Sequence, residues 1–457
     1  MTGEAFIDRL NSRSKLYGDG RVLSTDYCIA LRFDPTCAAS FETQISLIVA
    51  ANLLSRMTTN LAFDIPDVPL HKALPWQNKT LAHFIRHDVY LNRPDQNYQF
   101  RPVNKHDYVL NVGPDGGRIN IHSSGWFAFV GNGPSPLPPN KLLNPIGASL
   151  ASIMAVTLLF DPTPLPVTRN YIFDAFYWRE NCNTFIEHPY TPFPALGDLW
   201  FLGIGSVGSC ALYFLSLATR QYFPTMIDMD QVKIENMDRS AIFRMEHQGL
   251  DKVEAARAFL DSIGIAGVRT EACSFSNSQF RRERQPGEPD IFISAANEDD
   301  VRHTIEQSMP PIQIYATTGN AWQTTLFRHI PMVDACSCCV FPPEEHVIES
   351  VCGGGEVTDR QTGKKIDASL PFLSFMAGLM SAAEILKLSI PGYPFTQNKV
   401  TFRASHKKKN PSFVGQIYRQ RRGCVCQTRH SDIHQTLISG SRYAHLSGLQ
   451  DPDNIAE

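Results

Sequence analysis

The sequence predicts an α/β protein built around a doubly wound, mostly parallel, Rossmann-like domain, with a second α/β unit of similar outline ahead of it. Three observations carry this. From about residue 198 to 329, apolar runs of strand length alternate with helical stretches, as parallel strands joined by crossovers require. The first of those strands feeds the glycine-rich turn Gly203-Ile-Gly205-Ser-Val-Gly208 straight into an amphipathic helix, the strand-turn-helix of a nucleotide-binding fold. A β-α-β outline also occurs at 27–65, but its first strand exits through Asp-Pro-Thr-Cys-Ala-Ala-Ser, which has no glycine to let a phosphate approach the backbone.

In chain order, residues 1–25 carry Arg9 and Arg13 on a short helix. A strand at 27–33, a helix at 41–57 with Ile45, Ile48, Leu53 and Leu54 on its apolar face, and a strand at 60–65 follow. Strands are expected at 107–112 and 118–130, then a proline-rich passage and an apolar helix at 146–160. The run Asp-Pro-Thr-Pro-Leu-Pro at 161–166 predicts a stiff linker and the first domain boundary. The second unit alternates a strand at 198–203, helix 206–219, strand 225–229, helix 251–263, and strands 268–272 and 290–296. A helix at 299–308 and strands at 312–317 and 323–329 complete it. The arginine-rich stretch 281–288 is expected to be a solvated loop. Beyond residue 335 the pattern changes to a cysteine cluster, a glycine-rich loop, a strong helix at 369–388, strands at 400–403 and 413–418, and a polar tail. The expected division is 1–165, 166–335 and 336–457, with no internal repeat visible in the residues.

The chain of 457 residues is long enough for two or three cores. Its 42 Lys+Arg against 45 Asp+Glu give no global field toward nucleic acid or an anionic membrane. The polar N-terminus has no signal-peptide core, and the apolar stretch 146–160 is short for a membrane span, so a cytoplasmic protein with no membrane partner is expected. Eleven cysteines without an export signal favour metal binding or catalysis over disulfides. Cys336-x-x-Cys339 and Cys424-x-Cys426 supply four thiolates, enough for a closed tetrahedral Zn2+ site, with Cys338 as a substitute ligand.

Twenty residues past Gly208, a strand ends in Asp228-Met-Asp230, where an acid can bond ribose hydroxyls. Asn236-Met-Asp-Arg239 and Gly249-Leu-Asp-Lys252 then bring a guanidinium and an ammonium to the same cradle. A dinucleotide has no evident use for both, whereas a triphosphate losing pyrophosphate does, because cations offset the charge developing on the leaving group. ATP is therefore the expected nucleotide.

From about residue 195 to 388 these pieces, in this order and spacing, resemble the family of ubiquitin-activating enzymes and their bacterial relatives that adenylate sulfur-carrier proteins, the thiamine and molybdopterin adenylyltransferases. The resemblance implies an active adenylation domain preceded by a degenerate, inactive copy. Gly203, Gly205 and Gly208 would line the ATP phosphates and Asp230 would bind ribose. Asn236, Arg239 and Lys252 would grip the phosphates while the C-terminal carboxylate of a ubiquitin-like, β-grasp protein attacks the α-phosphorus. Arg13 loosely resembles the arginine that one half of such enzymes extends to the nucleotide of the other. Cys352, in a glycine-rich loop, resembles the thiol that captures the acyl adenylate as a thioester before hand-over to a conjugating enzyme, although Gly353 to Ala368 intervene before the Ser369-Leu-Pro segment. In the family an aspartate after the fourth strand binds Mg2+; here Asn297 takes its place, leaving Asp228 or the acids after Asn297 to hold the metal. The compact chain suggests a bacterial conjugation or antiviral defence system, and a homodimer is an admissible assembly. The rival expectations are activation of a sulfur carrier or small peptide without an enzyme thioester, and a catalytically weak scaffold.

Overall fold

The computed structural model describes residues 28–448, apart from internal stretches of which the longest are 90–96, 161–168, 296–300, 306–311, 341–355, 359–364, 405–409 and 427–441. Among the described residues, strands form two sheets of eight and one hairpin. The first unit runs β1 (Ile29–Phe33), α1 (Phe41–Met57), β2 (Asn60–Asp64), β3 (Asn97–Phe100), β4 (Tyr108–Val112), β5 (Ile119–Ser124), β6 (Phe127–Gly131), α2 (Pro145–Leu159), β7 (Tyr171–Asp174) and β8 (Arg179–Glu180). The second runs β9 (Gly197–Leu202), α3 (Ser206–Ala218), β10 (Tyr222–Ile227), α4 (Lys252–Ser262), β11 (Arg269–Glu271), β12 (Ile291–Ser294), β13 (Gln313–Gly319) and β14 (Gln323–His329). After β14 come the hairpin β15 (Glu356–Thr358) and β16 (Lys365–Asp367), then α5 (Pro371–Leu388), β17 (Lys399–Arg403) and β18 (Ser412–Gln416).

The two sheets are the same object built twice. The first is ordered β3-β2-β1-β4-β5-β6-β7-β8, the second β11-β10-β9-β12-β13-β14-β17-β18. Each has its first five strands in this order parallel and the remaining pairings antiparallel. A long helix follows the first strand of each unit and another precedes its seventh. The hairpin β15–β16 is an insertion in the second copy only. No repeat is visible in the residues, because a sheet order is set by which apolar stretches pair and not by their identity.

Where the structure departs from the sequence expectation, the reasons are local. The first sheet takes in β7 and β8, so the first unit extends past residue 165 to about 180. The stiff linker expected at 161–166 lies outside the described residues. The single strand expected at 118–130 is the hairpin β5–β6, turned at Gly125, whose φ is +60°. β3 went unread because Asn-Tyr-Gln-Phe is an edge strand with no buried residue. Residues 279–283 form a short helix capped by the Ser278 hydroxyl, which accepts from the Arg281 amide.

α1 and α5 are buried at every residue. Neither needs a polar face, because each is covered on all sides by helices and sheet, which is why a stretch apolar enough by length and composition to cross a membrane sits instead in a core. The helices of both units meet in one hydrophobic cluster that draws on both sheets. Small residues set the approach. A Cβ on Gly378 of α5 would lie 2.4 Å from the Cys210 Cβ of α3, and one on Gly147 of α2 would lie 2.4 Å from the Gly125 carbonyl oxygen. Ser152 of α2 donates to the Ser46 carbonyl of α1 at 2.8 Å.

Charge enters this interior only when matched. Arg328 of β14 donates to both carboxylate oxygens of Asp334 at 2.8 and 3.2 Å and to Glu384 of α5 at 2.5 Å. Lys387 stands 3.5 Å from the other Glu384 oxygen and 4.3 Å from the ring centroid of Trp178. Two cations and two anions thus neutralise each other, and the pairing of a long buried arginine with two acids fixes β14 against α5.

Glu42 is buried, has no cation paired with it among the described residues, and accepts from the Gly125 amide at 2.8 Å. Burial pushes its carboxyl up to about 8, against a smaller lowering by that amide. The folded chain therefore keeps the proton while the unfolded chain releases it near pH 4.5, so this group's stabilisation is present at low pH and is lost as pH rises through about 8. Glu42→Gln should flatten the fall in stability between pH 5 and 8, by up to about 1.4 kcal/mol per pH unit; denaturant melts across that range check this, and an unchanged slope would remove Glu42 as its source.

Candidate active site and metal centre

The turn between β9 and α3 lies at the C-terminal edge of the parallel strands, where open α/β sheets place their ligands. Its three glycines have three different jobs. Gly203 holds φ +88°, which side chains disfavour. Gly208 packs the helix onto the strand: a Cβ there would come within 2.0 Å of the Gly203 carbonyl oxygen. Gly205 is the N-cap of α3 and, among the described residues, receives no side-chain cap and would bring a Cβ within 4 Å of nothing. The first turn of a thirteen-residue helix therefore has amide donors without a capping side chain, beside open space, which is the physical requirement for an oxyanion.

The strand after α3 delivers the acids. Asp228 is turned inward, accepting from the Ile204 amide at 2.5 Å and the Asp230 amide at 2.8 Å. It braces the glycine turn, and burial raises its carboxyl above the usual range, opposed chiefly by Lys252. Asp230 faces outward, with 56% of its side chain exposed, and accepts from Lys252 Nζ at 2.6 Å. Lys252 opens α4, is itself buried, and lies 3.8 Å from Asp228, so one ammonium bridges both acids.

Asn236 ends a short 3-10 turn, accepting from the Lys233 amide at 2.8 Å. Arg239 is buried and donates to Asp238 at 3.0 Å, and its carbonyl receives the Cys210 thiol of α3 at 3.5 Å. The backbone around Arg239 is thus held on the helix that carries the glycine turn. Two buried hydroxyls beside this region, Ser240 and Ser294, have no hydrogen-bond partner among the described residues. Ser294 ends β12 next to Ala295, whose Cβ would be 3.5 Å from a Cβ on Gly208. Orphaned donors, uncapped amides and two cations fit a polyphosphate ligand. Sequence reasoning missed Ser240 and Ser294, since a serine beside a charged residue gives no signal until its burial is known. Arg13, Asn297 and Cys352 lie outside the described residues.

Cys336, Cys339, Cys424 and Cys426 come together, with all four Sγ atoms within 4.8 Å of one another. Separations of 3.7, 3.5 and 3.3 Å for 336–339, 336–424 and 339–426 are too long for disulfides. Four thiolates at about 2.3 Å from a common ion would stand about 3.8 Å apart, so the set fits one tetrahedral metal with no open position. Cys338 is not part of it. The Arg421 amide donates to Cys339 Sγ at 3.2 Å, and the Gln420 side chain donates to the Asp334 carbonyl at 3.0 Å, tying the cluster to the Arg328 network.

The glycine assignments separate by stability. Gly208→Ala should lower stability by about 2 kcal/mol or more through backbone overlap, whereas Gly205→Ala should melt as the native chain does; thermal melts in which both behave alike would contradict the packing described.

A family model described as the ThiF family matches residues 199–424. No curated relative matches the chain. Among solved structures it is similar to E. coli MccB with MccA-N7isoASN, at 18% identity and TM-score 0.39, over 50% of this chain and 66% of that one. E. coli MccB with ATP follows, at 16% identity and TM-score 0.38, over 50% and 67%, and PaaA at 20% and 0.36, over 49% and 64%. The chain therefore spans just under two thirds of the length of the first of these structures. Residues 199–424, from β9 to the first cysteine of the second pair, are the part of the chain that is similar to the ThiF family.

Proposed function

We propose that the chain adenylates the C-terminal carboxylate of a small protein with ATP, and that this protein is ubiquitin-like. The observation that carries the reading is the convergence of the open glycine turn at Gly205, the Asp230–Lys252 pair and buried Arg239 at one sheet edge of the second unit. The equivalent edge of the first unit, after β1, has the sequence Asp-Pro-Thr-Cys-Ala-Ala-Ser, with no glycine and no such cations. In this reading the first unit is the inactive copy.

The chemistry follows from the residues. The carboxylate oxygen attacks the α-phosphorus, a P–O bond to it forms, the bond to the β-phosphate oxygen breaks, and pyrophosphate leaves. Both reactants are anions, so cations and positioning matter more than proton transfer. The α3 amides would hold phosphate oxygens, Asp230 the ribose, and Lys252 and Arg239 the charge gathered on pyrophosphate. Asp230 and Asp238 hold these two cations in place before nucleotide arrives. Mg2+ would bind the phosphates, with Asp228, whose two oxygens each accept one amide and keep a lone pair, or the acids after Asn297 as its protein ligand. Arg13 would reach the nucleotide from the N-terminal segment. Cys352 would then attack the acyl carbon as thiolate, forming a C–S bond and releasing AMP, before transfer to a conjugating enzyme.

Incubation with ATP, Mg2+ and a ubiquitin-like protein ending in a small-residue tail should exchange pyrophosphate into ATP and yield a reductant-sensitive adduct. Cys352→Ala should keep exchange and lose the adduct. Exchange without any adduct in the native chain indicates activation of a sulfur carrier or peptide without a thioester; no exchange with the cognate protein leaves a scaffold. Gly205→Ala and Arg13→Ala should each weaken exchange without unfolding the chain.

Zn2+ is the proposed ion of the four-cysteine centre. Elemental analysis should find one zinc per chain, and Cys424→Ser or chelation should lower the melting temperature by several degrees; a native chain without metal but equally stable would leave the cluster as reduced thiols.

A further inference from the structure

One buried cation is not used by any step above. Arg56 stands in the last turn of α1, in the first unit, and is 2% exposed. Its Nε donates to Asn52 Oδ1 at 2.9 Å. Its Nη1 donates to the Met237 carbonyl at 2.5 Å and the Phe243 carbonyl at 3.3 Å, and Nη2 to the Ala241 carbonyl at 2.8 Å. Asn52 adds a second donor to Ala241 at 3.2 Å. No carboxylate is bonded to this guanidinium among the described residues, and burial lowers its pKa to about 10.

The bonded carbonyls bracket Arg239 and Ser240 on both sides, in a segment of turns with no strand ladder to satisfy them. Burying a guanidinium to bond only neutral carbonyls is costly unless the geometry it enforces is used. A planar fork can span three carbonyls at fixed separations, which a lysine cannot. We infer that Arg56 is a positioning residue of the nucleotide site, by which the inactive first unit holds the Asn236–Arg239 turn of the second unit in its phosphate-binding shape. This rests on the nucleotide reading above. It gives the first copy a mechanical role: α1, the counterpart of the helix that carries the glycine turn in the second unit, here carries a clamp at its C-terminal end.

The test uses the full chain and two readouts. In ATP·Mg2+ titration calorimetry, Arg56→Lys should weaken binding about tenfold, as expected for losing charge-assisted hydrogen bonds. Its effect should shrink in the background of Arg239→Ala and persist undiminished in that of Lys252→Ala, since of these two cations only Arg239 lies on the clamped turn. Amide hydrogen exchange of the nucleotide-free chain should show residues 237–243 exchanging at least tenfold faster in Arg56→Lys, with β9 unchanged. If Arg56→Lys does not fold, Asn52→Ala removes one donor to the Ala241 carbonyl and should move both readouts in the same direction by less. Multiplicative losses with Arg239→Ala, or unchanged exchange at 237–243, would overturn the clamp. A native chain that fails to bind ATP would instead overturn the nucleotide reading, and the exchange experiment would still decide whether the clamp exists.

Discussion

The structure depends on one constraint, a layer of apolar helices that both sheets must share. α1 and α5 have no solvent face, and α5 packs on α1 and α2 of the first unit as well as on α3 of its own. The closeness of the layer is set where a side chain is missing, as at Gly378 against Cys210. Cys210 lies on α3, the helix that begins at the glycine turn, so the packing that closes the core also sets the position of the phosphate cradle.

The duplication fits the division of labour proposed for the two units. Two copies of one strand order bury a common interior, and only one retains the turn through which phosphate can approach a helix N-terminus. The other is free to change at that edge, because its contribution to the shared core comes from α1 and α2. Arg56 sits on that seam, where a side chain of one copy reaches main-chain carbonyls of the other. The matched charges of Arg328, Asp334, Glu384 and Lys387 do a related task between β14 and α5, anchoring the segment that leads to the cysteines.

Much of the site was legible in the residues because backbone geometry constrains sequence there. A strand entering a glycine-rich turn, acids one strand later, and cations at fixed spacing reflect phosphate chemistry directly. The roles of the two acids were not legible: Asp228 and Asp230 are the same residue type two positions apart on a strand end, and only burial separates the brace from the exposed acid. The four cysteines, by contrast, are the set the two cysteine pairs predict, and a short helix turns Cys339 toward Cys426.

The sequence by itself determined the fold class, the order of strands β9 to β14 and the residue types of the nucleotide and thiolate clusters. Each follows from local rules: strand and helix periodicity, the conformational freedom of glycine, and the charge a polyphosphate demands. The hairpin β15–β16 falls in what reads as a glycine-rich loop, and the helix expected at 299–308 lies largely outside the described residues. Tertiary structure alone decided that the first unit repeats the second strand for strand, that it continues through β8, and that Arg56 belongs to the Arg239 turn. Asn52 and Ala241 are 189 positions apart, and no local pattern can encode a contact made by packing a helix of one unit against a turn segment of the other.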